Sequence, residues 1–451
     1  MNFENLNMRN QSNGNVNTAT SAIGKTTLIG NTILNTPDNN PATASLITFR
    51  GLNGNFSMSN EQLSRGTLIV GSTGMGKTTI FMSAMDQLLP QMAPSDVAFV
   101  FDSKGDFLNR YYRNKNESIV ISAKDEHSSI SKSWNIFGEL FDERGSLLSA
   151  DIFAKEISKA LFKGMESSTQ PFFHIAASDI FAVVLSCFCK DAETNGDFSK
   201  LNNEELIKFI NSATIQDYYN LTNRYPQYRY IQSYLGNPNN MTTQALGVLG
   251  YLYGMINTIF IGNFRKNSPN GQFSMRRLIR EKGRKIIFLE YDLMLGDTLS
   301  PIYSLFYDLA VKEALSLGRG NTYVIADEMN LLPHCTTFQD LVNFGRSRGC
   351  KTLVGLQSIN QLYNNYGEDE GKSIAAGFVN AFCLNSVDYD TREFISKRFG
   401  ETYENIAFGG MNTQRTGRTV EDSDVHNLLI GEAFIDLSGC RPFKFKFKNI
   451  S

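Results

Sequence analysis

The feature that most constrains this chain is a nine-residue run between an apolar segment and a helix-compatible segment. The run consists of Gly71, Ser72, Thr73, Gly74, Met75, Gly76, Lys77, Thr78 and Thr79. Residues 68–70 supply the apolar strand before it and residues 79–89 the helix after it, which is the context of a phosphate-binding loop. In such a loop the glycines turn backbone N–H groups inward around phosphates, Lys77 reaches the β and γ oxygens, and the Thr78 hydroxyl ligates Mg²⁺. The sequence therefore predicts a nucleoside triphosphate site.

A similar segment at residues 24–28 lacks this context, because Ala19 replaces the first glycine and no apolar strand leads into it. We interpret it as part of an N-terminal tail over residues 1–45. That tail is rich in Asn, Thr and Ser and holds one aromatic residue, Phe3. Such composition predicts a flexible segment, with folding beginning near Leu46.

Composition narrows the class of protein. The chain has 451 residues, of which 41% are hydrophobic and 12% aromatic, enough for sizeable cores and more than one domain. A formal net charge of −2 excludes a protein coated in basic surface, so contact with nucleic acid must be local, as in the lining of a pore. The six cysteines lack paired spacings and suit reduced thiols, and the four histidines form no zinc motif.

The sequence predicts no signal peptide, since its start is polar. Residues 245–264 form an uncharged stretch with several glycines and polar residues and no basic cluster on one flank. This pattern favours a buried helix or helix pair over a membrane span. We therefore expect a cytoplasmic protein, either free or peripheral at the inner face of the cell membrane.

Six short apolar runs are typical of buried parallel strands. Besides residues 68–70 they are residues 97–101 before Asp102, 286–289 before Glu290, 323–326 before Asp327, 352–356 before Gln357, and 381–384 before Asn385. Continuous apolar strands are typical of parallel sheets covered by helices on both faces. Ligands bind at the carboxyl ends of such strands, where these polar residues fall.

The spacing changes to a helical period between residues 146 and 280, which predicts an inserted all-α domain. Residues 46–145 and 281–451 would then be the two parts of one α/β nucleotide-binding domain with a mainly parallel sheet. Residues 433–437 and 443–447 are predicted as closing strands, the second with alternating buried phenylalanines.

The predicted strand at residues 323–326 is followed by two acids, and a phosphate-binding loop needs such acids nearby to hold Mg²⁺ and to activate water. Asp327 would hold the Mg²⁺ shell and Glu328 would polarise the attacking water as general base. Gln357 could contact the γ-phosphate, or be a simple polar strand end. Arg346 and Arg348 could be solvated, but in a ring one of them could reach a neighbouring subunit's nucleotide.

These motifs together resemble a known family. The order GSTGMGKT at 71–78, VFDSKGDF at 100–107, IADEMNLL at 325–332, NFGRSRGCKTLVGLQSINQLYNNYG at 343–367 and DTREFISKRFG at 390–400 is similar to type IV coupling proteins of the TraD/TrwB kind. Those belong to the FtsK/HerA group of hexameric DNA-pumping ATPases. The resemblance implies a RecA-like domain with an all-α insertion, and a ring at the cytoplasmic mouth of a type IV secretion channel that pumps a relaxase-bound DNA strand.

The resemblance also implies residue roles. The matching positions are Lys77 and Thr78 in the loop, Asp327 and Glu328 as metal-binding and catalytic pair, Gln357 as sensor, Arg346 as finger, and Lys372 near a second cation acting in trans. The implied cofactors are ATP and Mg²⁺, and the implied partners are DNA, relaxosome proteins, channel proteins and further copies of the chain, with a monomer as an alternative resting state.

The sequence departs from the family pattern at one point, and two classes of alternative function stay open. Such coupling proteins usually begin with transmembrane helices, so here a separate membrane protein would supply the anchor or the chain would be a soluble branch. The same nucleotide site would serve a soluble DNA translocase, a packaging ATPase or a protein-secretion ATPase. A slow nucleotide-dependent assembly switch is the alternative outside the motors, and DNA-stimulated turnover separates the two classes.

Overall fold

The protein is described from a computed structural model over residues 25–38, 44–141, 146, 150–163, 170–266, 268–332, 334–408 and 411–448. The strands are β1 (Lys25–Gly30), β2 (Ser45–Gly51), β3 (Gly54–Ser59), β4 (Thr67–Val70), β5 (Val97–Asp102), β6 (Ser118–Ile121), β7 (Ser133–Trp134), β8 (Gln272–Phe273), β9 (Lys285–Glu290), β10 (Thr322–Ala326), β11 (Cys350–Leu356), β12 (Asn380–Leu384), β13 (Glu401–Phe408), β14 (Met411–Arg418), β15 (Glu432–Asp436) and β16 (Phe443–Lys446). The helices are α1 (Asn60–Leu63), α2 (Lys77–Gln91), α3 (Asp106–Tyr111), α4 (Ala150–Phe162), α5 (Pro171–Asn195), α6 (Asn203–Ser212), α7 (Ile215–Asn223), α8 (Gln232–Leu235), α9 (Thr243–Ile259), α10 (Met275–Glu281), α11 (Gly296–Leu317), α12 (Phe338–Phe344), α13 (Ile359–Tyr366), α14 (Glu368–Gly377), α15 (Tyr389–Arg398) and α16 (Asp422–His426).

Nine strands form the central sheet, in the order β16-β15-β12-β4-β11-β10-β5-β9-β6. The pairs from β12 to β6 are all parallel, whereas β15 and β16 are antiparallel. All six strands predicted as parallel lie in this block, so the α/β prediction is confirmed. Strand β6 also belongs to it and was not predicted. Because the strands run in parallel, the loops after β4, β5, β10, β11 and β12 meet at one edge.

The parallel strands are apolar throughout because each one is covered on both faces. In β10, Tyr323 and Ile325 pack into the core beneath β2, β3 and α2, while Val324 and Ala326 pack into the core shared with α11 and the helical segment. This follows from the two-residue period of a strand. The closing strand β16 has the predicted alternation, since Phe443 and Phe445 are buried whereas Lys444 and Lys446 are only half-buried.

Helices α4 to α9 lie between β6 and β9 in the chain, where an all-α insertion is predicted. The predicted start of this insertion is residue 146. That residue is described, but residues 142–145 and 147–149 on either side of it lie outside the described part. In the described residues one helix, Pro171–Asn195, is long and apolar enough to cross a membrane, and 67% of its most apolar window is buried. The stretch singled out in the sequence, residues 245–264, instead contains α9 and a short 3₁₀ turn, and both contribute buried side chains.

The prediction of a flexible tail over residues 1–45 is wrong for part of that range. Residues Lys25–Gly30 form β1, which pairs antiparallel with β13 beside β14, and Leu34 forms a bridge with Phe443. Residues 1–24 lie outside the described part. Local composition did not reveal this strand because its partner lies far along the chain, and strand formation depends on that partner more than on intrinsic propensity.

Candidate nucleotide site

The phosphate loop joins the end of β4 to the start of α2, as predicted. Gly76 precedes the helix with φ of 101°, a left-handed conformation that favours glycine. A Cβ on Gly71 would lie 2.7 Å from Leu384 Cβ, so only glycine fits against the end of β12. The first and last glycines are therefore required by close packing and by backbone conformation respectively.

Neighbouring strands hold the loop from both sides. The Gly71 N–H donates to the Leu356 carbonyl of β11 at 3.1 Å, and the Ser72 N–H donates to the Asn385 carbonyl after β12 at 2.8 Å. The Val387 N–H donates to Ser72 Oγ at 3.1 Å. These bonds fix the loop backbone, which favours binding because a preorganised loop loses little conformational entropy when it holds a phosphate.

Lys77 is the first residue of α2, and its buried side chain reaches back to the start of the loop. Its ammonium group donates to the carbonyls of Gly71 at 2.5 Å and Ser72 at 3.2 Å. Burial lowers the pKa of Lys77, and the negative charges of Glu328 and Asp327 oppose that shift. The next two residues, Thr78 and Thr79, are half-buried and exposed.

The predicted acid pair lies at the same edge, immediately after β10. Ser103 Oγ, after β5, donates to Asp327 Oδ1 at 3.1 Å. Gln357, after β11, donates through Nε2 to Glu328 Oε2 at 2.7 Å. The structure therefore brings Lys77, Asp327, Glu328 and Gln357 together, and Gln357 contacts the glutamate.

Burial perturbs both acids. It raises the pKa of Asp327 to about 7, with a further contribution from the charge of Asp102. It also raises the pKa of Glu328, against the hydrogen bond from Gln357 and the charge of Lys77. Among the described residues, Glu328 Oε1 is buried without a hydrogen-bond partner. Raised pKa values of acids in a cleft are characteristic of functional sites.

This donor set fits a hard divalent cation. Carboxylate and hydroxyl oxygens are the ligands of Mg²⁺, and a cation here would offset the burial of Asp327 and Glu328. Thr78 and Asp327 are the residues that would hold it.

The sequence pointed to the end of β5 as part of the site but did not predict the roles of Asp102 and Ser103. Asp102 Oδ1 accepts from the N–H groups of Lys104 and Gly105, and Oδ2 accepts from that of Leu108, so its carboxylate shapes the turn between β5 and α3. Ser103 then positions Asp327. An acid at the end of the strand beside β10 was the available signal, but the sequence did not reveal which acid caps a turn and which faces the ligand.

Arg346 lies at the opposite edge of the sheet. It precedes β11, whereas the phosphate loop lies beyond the carboxyl end of that strand, and seven residues of strand span about 23 Å. Arg346 is exposed and pairs with Glu61 at 3.1 Å. The structure does not bring it to the phosphate loop of its own chain. Lys372 is also exposed and pairs with Glu368.

A phosphate loop on a central parallel strand, with an acid pair two strands away and an amide on the strand between them, defines a P-loop nucleoside triphosphate-binding protein. The chain belongs to the type IV secretion-system coupling protein DNA-binding domain family, whose model matches residues 52–444. No curated protein matches the chain by sequence.

Solved structures share the fold. The bacterial conjugative coupling protein TrwBdeltaN70, in its trigonal form in complex with sulphate, is 18% identical with a TM-score of 0.72, and 94% of each chain is covered. Plasmid coupling protein TrwB in complex with ADP and Mg²⁺ is 19% identical with a TM-score of 0.66 over 88% of each chain. VirB4 of Thermoanaerobacter pseudethanolicus is 12% identical with a TM-score of 0.53, over 91% of this chain and 97% of the other.

Proposed function

We propose that this protein is an ATP-driven DNA translocase that acts as a coupling protein, delivering relaxase-bound DNA to a type IV secretion channel during conjugation. The observation that carries the proposal is the assembly of Lys77, Asp327, Glu328 and Gln357 at one edge of the sheet. Membership of the coupling-protein family supports the biological setting. The complex of TrwB with ADP and Mg²⁺ supports the choice of cofactor.

Each of these residues would have a separate role in ATP hydrolysis. Lys77 and the loop N–H groups would bind the β- and γ-phosphates, and Thr78 and Asp327 would hold Mg²⁺, which neutralises phosphate charge. Glu328 would take the proton of the attacking water, a role suited to a carboxylate whose pKa burial has raised. Gln357 would report loss of the γ-phosphate, because its amide already holds the catalytic carboxylate.

The working unit we propose is a homohexameric ring. Arg346 would serve as a finger in trans, since it lies at the sheet edge opposite its own phosphate loop. The helical insertion, proposed as residues 146–280, would receive relaxosome proteins, and the ring would act in the cytoplasm at the channel mouth. The nucleotide-binding domain would comprise residues 46–145 and 281–451.

The test is ATP hydrolysis by the purified protein across a concentration series, with and without single-stranded DNA. A ring-forming DNA motor requires turnover per subunit to rise steeply with protein concentration and again with DNA. Lys77→Ala is the matched inactive control. Turnover that is slow and indifferent to DNA and concentration would instead support the assembly switch.

DNA binding supplies a second test. A ring pump must hold the phosphate backbone without reading bases, so affinity should fall steeply with salt and be similar for unrelated sequences. Strong preference for one sequence at constant salt would contradict a translocase. Binding of a purified relaxase by the wild-type protein, in the same buffer, would separate a coupling protein from a soluble translocase of another purpose.

A further inference from the structure

The turn between β5 and α3 carries Lys104. This residue lies within residues 100–107, one of the segments that carry the family resemblance, but the resemblance implies no role for it. Lys104 is exposed, although the residues on both sides of it are buried. Its own N–H donates to Asp102 Oδ1, and that carboxylate also accepts from Gly105 and Leu108. The buried carboxylate of Asp102 therefore holds the backbone of Lys104, and the Lys104 side chain takes no part in these hydrogen bonds.

The sheet places this turn beside the catalytic acids. Strands β5 and β10 are parallel neighbours in which Phe101 lies opposite Ala326, so residues 102–104 and the acid pair leave the sheet at the same level. The hydrogen bond from Ser103 to Asp327 joins the two segments directly. Lys104 thus leaves the sheet beside the segment that carries the acid pair, on the side of β10 away from the strand that carries the phosphate loop.

Charge interactions are consistent with that placement. The charge of Lys104 lowers the pKa of Glu328 and also lowers the pKa of Lys77, so its ammonium group lies within electrostatic reach of both. Among the described residues, no acidic side chain forms an ion pair with Lys104. A nearby cation without an acidic partner can interact with a phosphate more strongly than one already paired.

We infer that Lys104 is a further catalytic residue, whose ε-ammonium group contacts the γ-phosphoryl oxygens and stabilises the negative charge on them during hydrolysis. In that step the water oxygen bonds to the γ-phosphorus as the bond from phosphorus to the β–γ bridging oxygen breaks. The electron pair leaves with ADP, Glu328 takes the proton of the water, and Lys104 keeps its own proton. The inference rests on the proposed ATP hydrolysis.

Lys77 and Lys104 would act from different directions. Lys77 is fixed within the loop and would contact both the β- and γ-phosphates, so it contributes to binding of ADP as well as ATP. Lys104 would contact only the transferred group. Removing it should therefore slow the chemical step and leave ADP affinity unchanged, because only interactions stronger in the transition state raise kcat.

The experiment compares Lys104→Ala and Lys104→Arg with Lys115→Ala. Lys115 is an exposed lysine in the connection from α3 to β6, at the other edge of the sheet, and serves as control. Lys104→Ala should reduce basal kcat about 100-fold, by analogy with removal of one charge-stabilising donor. It should reduce affinity for ADP·Mg²⁺ with fluoroaluminate by a similar factor and leave ADP·Mg²⁺ affinity within about twofold. Lys104→Arg should recover part of the kcat, and Lys115→Ala should match the wild type.

Other outcomes overturn the inference. Unchanged basal kcat with loss of DNA stimulation would make Lys104 a DNA contact, and an equal loss of ADP and fluoroaluminate affinity would make it a ground-state binding residue. Thermal unfolding of each variant guards against a misfolded protein, and Lys104→Arg provides the second variant. If the wild type hydrolyses no ATP under any condition, the proposed function itself fails and the inference falls with it.

Discussion

Three side chains at the candidate site are ionisable groups held in a poorly solvated setting. The pKa of Lys77 is lowered and those of Asp327 and Glu328 are raised, in each case chiefly because burial disfavours the charged form. A bound polyanion would favour the charged form of the lysine and a bound divalent cation the charged forms of the two acids, so each ligand would oppose these shifts. Single substitutions here should therefore separate binding from chemistry.

Glu328→Gln should abolish hydrolysis while ATP affinity stays within a few-fold, because the amide cannot take a proton from water. Lys77→Ala should lose ATP binding as well. Filter binding of labelled ATP and a coupled hydrolysis assay give the two readouts. Wild-type turnover in Glu328→Gln would remove the assignment of Glu328 as base.

Asp327 predicts a pH effect on the metal-free protein. An aspartate in the unfolded chain has its pKa near 3.9, and the folded value is about 7. Between these values the native state keeps a proton that the unfolded state has lost, so stability falls as pH rises from about 4 to 7. Asp327→Asn should remove this fall in stability, because asparagine does not titrate. At pH 8 it should be more stable than the wild type by on the order of 2–4 kcal/mol, and near pH 4 the difference should vanish.

Urea unfolding at several pH values without Mg²⁺ provides that measurement. Asp369→Asn, an exposed acid of α14, is the control and should follow the wild type at every pH. Parallel pH profiles for Asp327→Asn and the wild type would show that Asp327 is ionised throughout in the folded protein.

Strands β10 and β11 approach each other closely where they leave the sheet. A Cβ on Gly355 would lie 2.2 Å from the backbone carbonyl oxygen of Asp327 and 3.1 Å from the ring of Phe81. The neighbour at 2.2 Å is backbone and cannot move aside without displacing the acid pair. Gly355 therefore fixes the depth at which Asp327 lies relative to β11.

Gly355→Ala should lower the free energy of unfolding by about 1–3 kcal/mol through overpacking and weaken ADP·Mg²⁺ binding by shifting Asp327. Gly250→Ala is the control, because a Cβ in that part of α9 meets nothing within 4 Å and alanine favours helix. Equal stability and equal ADP affinity for Gly355→Ala and the wild type would contradict the tight approach.

At the scale of elements, the sequence predicted those strands whose position is encoded in a local pattern of residues. The six parallel strands were found because burial on both faces leaves a continuous apolar run that ends in a polar residue, as in residues 323–327. Strands β1, β13 and β14 carry no such run, and their sheet depends on pairing between distant segments. Likewise Lys77 and Asp327 were predicted from their motifs, but the roles of Asp102 and Ser103 depend on hydrogen bonds that no spacing reveals.

The position of Arg346 makes a prediction about the whole assembly. Arg346→Ala should remove hydrolysis in the ring, because its proposed target lies on the next subunit, and leave nucleotide binding by dilute monomer unchanged. Arg65→Ala is the matched control, since Arg65 shares the same Glu61 oxygen at the same surface.

Mixing subunits tests this geometry directly. Rings assembled from Lys77→Ala and Arg346→Ala chains contain some interfaces where an intact loop meets an intact Arg346. Such mixtures should regain part of the hydrolysis that each variant lacks alone. Failure of any mixture to recover activity, with mixed rings demonstrated by mass, would place the role of Arg346 within its own subunit.

The strand order also bears on how the protein is made. Strand β4, which carries the phosphate loop, lies between β11 and β12, and both emerge from the ribosome long after it. A nascent chain that ends near residue 340 already contains the loop and both acids but lacks the two strands that flank β4. Because long-range parallel pairing forms slowly, this incomplete chain would expose apolar strands and bind no nucleotide until β11 and β12, in the last quarter of the chain, are synthesised. We therefore expect chaperones to engage ribosome-bound intermediates of this length, and nucleotide affinity to appear abruptly once residues past 385 are free.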